Sequence, residues 1–318
     1  MKILLTGGAG FIGSHFCERL LNENCEVVII DNFNDYYDPT IKRENIKIFE
    51  ENDRVTIVDG DILDTALLDD LFAEHTFTAI VHLAARAGVR PSLLQPLLYE
   101  RVNVIGTLEL LERARKHGVN KLVIASSSSV YGNNEKIPFS ESDNVDFPIS
   151  PYAATKKSCE LVAHTYCHLY QLNITMLRFF TVYGPRQRPD MAIHKFAKLI
   201  AQDEKIPVYG DGKSRRDYTF ISDIVDGIYR SLVHCSGYNI YNLGESRTIA
   251  LSELIAVLED KIGKKARIER LPMQPGDVPV TFADISKARS ELGYDPQVDI
   301  VTGVTKFIDW FKDHHRIK

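Results

Sequence analysis

Short apolar runs alternate with longer stretches of helical periodicity along the first 180 residues. The runs cover residues 3–6, 27–30, 55–58, 79–83, 122–125 and 174–177. Apolar side chains recur at helical spacing in residues 14–21, 104–116 and 152–170. This alternation predicts an α/β fold built on a doubly wound parallel Rossmann sheet. In such sheets the ligand binds beyond the carboxyl ends of the strands.

The alternation weakens after about residue 180, where proline, glycine and arginine become frequent. Polar loops are indicated by the composition of residues 184–190, 209–217 and 274–277. Helical apolar spacing continues in residues 251–262 and 304–311, so a disordered tail is not expected. We therefore predict two domains. The Rossmann domain covers residues 1–180 with part of 217–247, and a smaller α/β substrate-binding domain covers mainly residues 181–318.

Three glycines come after the first apolar run in the spacing Gly-x-x-Gly-x-x-Gly. Gly7 suits a tight turn, Gly10 allows a pyrophosphate to approach the backbone, and Gly13 lets the next helix pack on the strand. The free N–H groups of that helix start favour phosphate. Because Gly-x-Gly-x-x-Gly is the more common spacing, this variant needs support from a carboxylate at the end of the second strand.

A carboxylate closes the second apolar run. Asp31 lies 18 residues after Gly13, where an acidic side chain accepts hydrogen bonds from the adenosine ribose hydroxyls. A carboxylate there repels a 2′-phosphate, so the sequence predicts NAD over NADP and makes residues 1–180 the NAD-binding domain. The alternative is that Asp31 merely ends a strand.

Other candidate site residues come directly after later strands. Asp61 comes after the third run, His82-Leu-Ala-Ala85 closes the fourth, and four serines, 126–129, come after the fifth. A serine run can be a generic loop, but its place at a strand end favours a site. Asn103 either bonds main-chain groups inside the domain or helps to arrange the cofactor site.

Tyr152 and Lys156 supply the chemistry that a dinucleotide site needs. At positions i and i+4 they share one helix face, while Ser150 and Pro151 suit the N-cap and first helical positions. Lys156 and an oxidised nicotinamide favour the phenolate form of Tyr152, which can then act as a general base. Tyr-x-x-x-Lys alone is weak evidence, but here it lies downstream of a glycine-rich opening.

Composition restricts the partners. The 318 residues carry a formal net charge of -5 with both signs interspersed, which gives no broad attraction to nucleic acid or anionic membrane. No apolar run approaches the ~20 residues of a membrane span, and no signal-peptide pattern is present. The five cysteines form no framework or metal-ligand spacing, so we expect reduced thiols, no metal and a cytoplasmic location.

The chain resembles, over essentially its whole length, the extended short-chain dehydrogenase/reductase family of NAD-dependent sugar-nucleotide enzymes. The superfamily motifs are the glycine-rich opening, the serine segment, and Tyr152 with Lys156. More specific stretches cover residues 31–38, 178–191 and 274–284. They are most similar to UDP-glucuronate 4-epimerases.

The resemblance implies a catalytic triad of Ser127, Tyr152 and Lys156. It implies that Tyr152 removes the O4 proton while hydride leaves C4 for NAD, and that the transient 4-keto sugar rotates and takes hydride back on its opposite face. The implied cofactor contacts are Gly7, Gly10, Phe11, Ile12, Gly13, Asp31, Asn32, Asp61, Ile62, Leu83, Ala84, Ala85, Asn103, Tyr152 and Lys156. Homodimers are common in the family, although the sequence reveals no interface.

The same resemblance assigns UDP-sugar contacts to Ser127, Ser128, Thr181, Arg188, Arg216 and Asp277, and Arg90 is a further candidate cation for the sugar carboxylate. Arg188 and Thr181 are implied at the sugar carboxylate, Arg216 at the diphosphate, and Asp277 at the nucleotide end. For any one arginine the alternative is an exposed charge or a structural salt bridge. Gln274 and Thr281 replace the arginine and tyrosine of glucose-type enzymes, which leaves the diphosphate contacts less defined.

The predicted reaction is interconversion of UDP-glucuronate and UDP-galacturonate. A 4-keto glucuronate is a β-keto acid that loses carbon dioxide readily, and related decarboxylases place acidic groups where this chain has Ser128 and Ser129. The absence of acidic groups at these two positions favours epimerisation. The alternatives are a 4-epimerase of neutral UDP-hexoses such as UDP-glucose or UDP-N-acetylglucosamine, a UDP-glucuronate decarboxylase, and a non-catalytic NAD-binding protein.

Overall fold

A seven-stranded, entirely parallel sheet forms the centre of the molecule. The computed structural model describes residues 1–272 and 278–315. The sheet strands are β1 (Lys2–Thr6), β2 (Glu26–Asp31), β3 (Val55–Asp59), β4 (Ala79–His82), β5 (Lys121–Ser127), β6 (Asn173–Phe179) and β11 (Tyr238–Leu243). Their order is β11-β6-β5-β4-β1-β2-β3. The predicted fold class is confirmed, and each of the six predicted strands is present with no end displaced by more than two residues.

The seventh strand comes from the second half of the chain. β11 pairs in parallel with β6, with Tyr238 opposite Ile174 and Leu243 opposite Phe179. Residues 238–243 therefore extend the sheet that the first 180 residues build.

The strands expose alternate residues to two separate apolar cores. Ile3 and Leu5 belong to one core, whereas Leu4 belongs to the other, because successive strand side chains point to opposite faces. Helices α1 and α9 contribute to the first core and α3, α6 and α7 to the second. These helices are α1 (Phe11–Asn22), α3 (Thr65–Glu74), α6 (Gly106–His117), α7 (Pro151–Tyr170) and α9 (Ile221–Val233).

Shorter elements complete the first half of the chain. They are α2 (Pro39–Ile46), α4 (Val89–Leu94), α5 (Pro96–Tyr99), a 3-10 turn at Lys47–Phe49, a π-helical stretch at Glu100–Ile105 and a 3-10 turn at Ser128–Tyr131. The π-helical stretch leads directly into α6, whose C-cap residue Gly118 adopts the left-handed conformation that glycine favours.

The second half carries small strand pairs and four further helices. The pairs are β7 (Thr181–Tyr183) with β10 (Tyr218–Phe220), β8 (Lys205–Tyr209) with β13 (Arg267–Leu271), and β9 (Arg215–Arg216) with β12 (Ile249–Ala250). The helices are α8 (Ala192–Ala201), α10 (Leu251–Ile262), α11 (Ser286–Leu292) and α12 (Ile300–His315). Across both described ranges, no helix is long and apolar enough to cross a membrane.

Candidate active site

One cavity of about 390 Å³ lies at the carboxyl ends of the central strands. β1 has β2 on one side and β4 on the other, which is the switch point where doubly wound sheets bind ligands. The predicted site residues that line the cavity are Gly7, Gly10, Phe11, Ile12, Gly13, Asp31, Asn32, Asp61, Ile62, Leu83, Ala84, Ala85, Ser127, Ser128, Tyr152, Lys156, Thr181 and Arg188.

The glycine turn has the close packing that a phosphate cradle requires. Gly7 adopts φ +70°, and a Cβ there would lie 2.7 Å from the backbone nitrogen of Ala84. A Cβ on Gly13 would lie 2.2 Å from the carbonyl oxygen of Gly7. Gly10 is the N-cap of α1 and has no side chain to bond the first N–H groups. These groups are therefore suited to a pyrophosphate.

Asp31 is held at the end of β2 with its carboxylate preset. Its oxygens accept the backbone N–H groups of Ala9 at 3.1 Å and Phe33 at 3.0 Å. Burial raises the pKa of Asp31, opposed by the Phe33 N–H and the nearby Lys42 charge. Asn32 donates to Asp61 at 2.8 Å. The arrangement fits a ribose diol, and its carboxylate disfavours a 2′-phosphate.

Helix α7 presents the tyrosine and lysine as predicted. Ser150 caps it through a 3.1 Å bond from the Ala153 N–H, and Pro151 occupies the first turn. Lys156 Nζ donates to the carbonyl oxygen of Ala125 at 2.7 Å, which ties α7 to the end of β5. Tyr152 packs edge-on against Tyr99 with ring centroids 6.1 Å apart.

Ser127, the predicted catalytic serine, is the last residue of β5. Ser127 Oγ donates to Ser129 Oγ at 3.1 Å and accepts the Ser129 N–H at 3.2 Å. These bonds form because the chain turns into the 3-10 segment directly after Ser127. Ser127 and Ser128 consequently line the same cavity as Tyr152.

A closed ionic network lies behind the serines. Arg178 donates through Nε and Nη2 to the two Glu160 carboxylate oxygens, both at 2.8 Å, and each side chain is 1% exposed. Ser126 Oγ donates to Glu160 at 2.7 Å, and Arg178 Nη1 donates to the Tyr131 hydroxyl at 3.0 Å. Glu160 is one turn after Lys156 on α7. Through these two side chains α7 hydrogen-bonds Ala125 and Ser126, the two residues that precede Ser127.

Arg188 supplies the cation at the other side of the cavity. Its Nε and Nη2 donate to the Asp190 carboxylate at 2.9 and 2.8 Å. Although burial opposes its charge, the Asp190 bond raises the pKa of Arg188. Thr181 begins β7 and also lines the cavity. Arg188 and Thr181, the two residues predicted to bind the sugar carboxylate, thus line the same cavity as Tyr152.

Several predicted residues lie elsewhere. Asn103 is 1% exposed and is absent from the cavity wall that the described residues form. Its amide accepts the Arg86 N–H at 2.7 Å and donates to the Arg86 carbonyl oxygen and Thr155 Oγ1. It therefore satisfies the first of the two predicted roles, bonding main chain, and steadies the segment that carries Ala85.

Two further predicted substrate contacts, Arg90 and Arg216, are also outside that wall. The Arg90 guanidinium lies 4.6 Å from the Tyr209 ring centroid. Arg216 Nη1 donates to the carbonyl oxygens of Arg215 and Pro279 at 2.9 and 3.3 Å. Asp277 and Gln274 fall outside the described residues.

His82 closes β4 but is a core residue. Its ring bonds Thr6 Oγ1 at 2.7 Å and Thr107 Oγ1 at 3.1 Å. Burial lowers the pKa of His82 to about 3, with Lys156 adding to the effect. The imidazole is therefore neutral and packs between two threonines instead of transferring protons.

Sequence reasoning missed one part of the wall. Asn34, Tyr36, Tyr37 and Lys42 line the cavity. The Arg188 guanidinium lies 5.2 Å from the Tyr36 ring centroid, and Lys42 lies 4.8 Å from that of Tyr37. Two adjacent tyrosines among polar residues, shortly after Asp31, were the available signal.

Comparison with known proteins agrees with this geometry. Residues 4–307 match the family described as GDP-mannose 4,6 dehydratase. The chain is 45% identical to the UDP-glucuronate 4-epimerase of Thermodesulfobacterium geofontis, over 98% of this chain and 96% of that protein. This relationship covers both halves of the molecule.

Two solved structures are similar over 99% of this chain and 100% of their own. The Bacillus cereus UDP-glucuronic acid 4-epimerase in complex with UDP-glucuronic acid and NAD has a TM-score of 0.91 at 38% identity. The Thermotoga maritima UDP-glucose 4-epimerase with UDP-glucose has a TM-score of 0.91 at 31% identity. The family prediction is confirmed: the chain belongs to the extended short-chain dehydrogenase/reductases, in the group similar to GDP-mannose 4,6-dehydratase.

Proposed function

We propose that the protein is an NAD-dependent 4-epimerase that interconverts UDP-glucuronate and UDP-galacturonate through a transient 4-keto sugar. The observation that carries the proposal is the placement of Arg188 in the same cavity as Ser127, Tyr152 and Lys156. A guanidinium recognises a carboxylate through directional, charge-assisted bonds. The UDP-sugar 4-epimerases among its relatives support the reaction type.

NAD is the cofactor. The solved Bacillus cereus relative contains it, and the glycine turn and Asp31 of this chain fit its pyrophosphate and adenosine ribose. Bound NAD supplies the hydride acceptor for C4 and then the hydride donor. The protein positions C4, controls the O4 proton and excludes water.

Proton transfer is assigned to the groups on α7 and β5. Tyr152 takes the proton from O4 as general base and returns it after the sugar rotates. Ser127 hydrogen-bonds the same oxygen. The Lys156 ammonium donates to the Ala125 carbonyl oxygen, which holds its charge in the same cavity as Tyr152.

The sugar end favours epimerisation over decarboxylation or dehydration. Arg188, Thr181 and Ser128 are assigned to the sugar carboxylate. The acidic side chains in the described cavity wall are Asp31 and Asp61, and both lie after strands at the adenosine end. A further acid beside C5 or C6, which dehydration would use, is thus absent from this part of the wall. Fixing the carboxylate also slows carbon dioxide loss by keeping the breaking bond out of line with the carbonyl.

The other end of the substrate is assigned to Arg216 and Asp277, and Arg90 is a further candidate substrate contact. Arg90 and Arg216 lie beyond the cavity wall, on the side of Tyr209 and Pro279. This placement suits a diphosphate that leaves the cavity toward the second half of the chain. Arg216→Ala should weaken UDP itself as well as both UDP-sugars.

A 4-epimerase of neutral UDP-hexoses is the second candidate. Arg188 already has a carboxylate partner in Asp190, so this pair adds little net charge to the cavity. The equal TM-score of the UDP-glucose 4-epimerase fits this candidate as well.

The first experiment is incubation of the purified protein with UDP-glucuronate, without added reductant, and then separation and mass analysis of the sugar nucleotides. Product of unchanged mass that migrates as UDP-galacturonate is expected. Carbon dioxide loss would indicate a decarboxylase. Faster turnover of UDP-glucose or UDP-N-acetylglucosamine than of the acid would favour the second candidate.

Tyr152→Phe separates an enzyme from a non-catalytic NAD-binding protein. The phenylalanine keeps the ring packing against Tyr99 but cannot accept the O4 proton. Turnover should fall by at least about 100-fold, while bound NAD and the unfolding temperature stay unchanged. Undiminished turnover would remove Tyr152 from the mechanism.

We also propose a cytoplasmic homodimer. All five cysteines are free thiols, which suits a reducing compartment. Leu94 and Leu97 are 85% and 84% exposed on α4 and α5, and Leu161 on adjoining α7 is 56% exposed. Such an apolar face suits pairing with a second copy. Sedimentation should give a dimer, and Leu97→Glu should shift it toward monomer.

A further inference from the structure

The segment after β2 connects the two ends of the cavity. It follows Asp31, the last residue of β2, which is assigned to the adenosine ribose. A few residues later Tyr36 contacts Arg188, which is assigned to the sugar carboxylate. Lys42 closes the segment by donating to the carbonyl oxygen of Asn34 at 2.7 Å and to its side chain at 3.1 Å. Nothing in the proposed reaction so far uses Tyr36.

Arg188 is restrained by an ion pair with Asp190 and by the aromatic ring of Tyr36. Asp190 binds the edge formed by Nε and Nη2, which fixes the plane of the guanidinium. The guanidinium also lies over the Tyr36 ring, with 5.2 Å between the Arg188 Cζ and the ring centroid. Nη1 donates to none of the described residues, so the edge formed by Nη1 and Nη2 retains donors for a second carboxylate.

Tyr36 is itself confined. Its hydroxyl lies over the backbone of Gly88, where an added Cβ would be 2.7 Å from the oxygen. The Arg86 guanidinium lies 5.8 Å from the same ring. Burial raises the pKa of Tyr36 despite the opposing charge of Arg188. A neutral, fixed ring is a suitable platform for a guanidinium because it restrains orientation without competing for N–H donors.

We propose that Tyr36 is a positioning residue for substrate selectivity: its ring restrains the Arg188 guanidinium while Asp190 binds the edge formed by Nε and Nη2, and the two together preset the edge formed by Nη1 and Nη2 to receive a sugar carboxylate. The inference rests on the proposed function, since it concerns selection of an acidic over a neutral UDP-sugar. It predicts selective loss of the acid when the ring is removed. Tyr36 need not touch the substrate.

The test uses NAD-loaded protein carrying Tyr152→Phe, so that bound sugars are not turned over. Calorimetry gives the dissociation constants of UDP-glucuronate and UDP-glucose for this parent and for added Tyr36→Leu or Tyr36→Phe. Tyr36→Leu should raise the dissociation constant of UDP-glucuronate about tenfold and that of UDP-glucose less than about twofold. Tyr36→Phe keeps the ring and should retain the parental ratio.

A second variant tests whether Tyr36 acts through Arg188. Lysine at 188 keeps the charge but lacks a planar fork, so Arg188→Lys should also weaken UDP-glucuronate. Adding Tyr36→Leu to Arg188→Lys should then cause little further loss. This cycle remains informative if Tyr36→Leu lowers the unfolding temperature, because only binding to the folded, NAD-loaded fraction is compared.

Equal weakening of both sugars, an unchanged acid-to-neutral ratio in Tyr36→Leu, or additive losses in the double variant would each overturn the positioning role. Failure of the proposed function is distinguishable, because the parent itself would then bind UDP-glucose at least as well as UDP-glucuronate. That result would remove the inference together with its premise.

Discussion

Arg178 and Arg188 make the same kind of contact in two different surroundings. Each donates through Nε and Nη2 to one carboxylate, Glu160 or Asp190. Each guanidinium also lies on a tyrosine ring, 4.8 Å from Tyr131 or 5.2 Å from Tyr36. The Arg178 and Glu160 side chains are 1% exposed, whereas those of Arg188 and Asp190 are 21% and 42% exposed.

The difference lies in the remaining donors. Arg178 gives its Nη1 to the Tyr131 hydroxyl, which in turn donates to Asn242, so the first contact is closed within the protein. Arg188 lines the cavity and keeps Nη1 available within the described part of the chain. Arg178, whose donors are all used within the protein, stabilises the structure behind Ser127. Arg188, which is partly exposed and keeps a donor, can recognise a ligand. Local geometry alone would not separate them.

The largest expected difference is in stability. Arg178→Leu leaves the Glu160 carboxylate buried without its cation, so the free energy of unfolding should fall by about 3–5 kcal/mol. Arg188→Leu should cost about 1 kcal/mol or less, because its partner remains hydrated. Urea unfolding of both variants makes the measurement. Adding Glu160→Leu to Arg178→Leu should restore part of the lost free energy of unfolding. If Arg178→Leu and Arg188→Leu lowered the free energy of unfolding by similar amounts, the proposed difference between the two arginines would be wrong.

Activity should show the reverse order. Arg188→Leu removes the charged donors at the sugar carboxylate, so kcat/KM for UDP-glucuronate should fall by about 100-fold. Any turnover of UDP-glucose should change less than about threefold. Initial rates with both sugars give this ratio, and Tyr36→Phe serves as the control with an intact Arg188. An equal loss for both sugars would move Arg188 from carboxylate selection to general structure.

Asp190→Asn should have a smaller effect. The amide oxygen still accepts one N–H from Arg188, but the second bond and the opposite charge are lost. With the guanidinium plane less fixed, kcat/KM for UDP-glucuronate should fall about threefold to tenfold. A rise would instead mean that Asp190 competes with the sugar carboxylate for Arg188. Asp35→Asn is the charge control, because Asp35 precedes Tyr36 in the chain and is only weakly paired with Arg86, at 4.0 Å.

The sequence predicts the strands and turns that support Ser127, Tyr152 and Lys156 better than it predicts the surroundings of Arg188. Strands, the glycine turn, and the Ser150 cap that places Tyr152 and Lys156 depend on residues within one or two turns of each other. Apolar period and cap chemistry therefore reveal them. The motifs place Arg188 in the site through the family resemblance, but they carry no information about which ring lies on it.

The contacts that escape prediction join distant parts of the chain. Tyr36 meets Arg188 only because the segment after β2 and the loop after β7 reach the same end of the sheet. Asn103 is assigned to the cofactor from its position, yet its amide is used up by Arg86 and Thr155. Both depend on where side chains point in the folded protein, which spacing along one segment does not determine.

The smallest expected effect concerns a carboxylate that lacks such an arginine. Burial opposes ionisation of Asp190, but the Arg188 bond outweighs it and lowers the pKa of that carboxyl. Glu245 has no ion pair with another described residue, and its Oε2 is buried without a hydrogen-bond partner there. Burial, with Asp223 and Asp217 nearby, raises the pKa of Glu245 to about 7.

A raised pKa gives Glu245 a defined pH signature. The folded state holds the proton more tightly than the unfolded chain, so its contribution to stability is fully present below about pH 4 and is lost as the pH rises through about 7. Glu245→Gln removes this loss and should raise stability at pH 8 by about 1 kcal/mol relative to pH 5. Thermal unfolding at both pH values measures it, with Glu253→Gln, an exposed glutamate in the same half of the chain, as control. If the unfolding temperatures of Glu245→Gln and the parent differed by the same amount at both pH values, Glu245 would ionise normally. A buried carboxylate in this half of the chain would then keep its charge without a guanidinium partner.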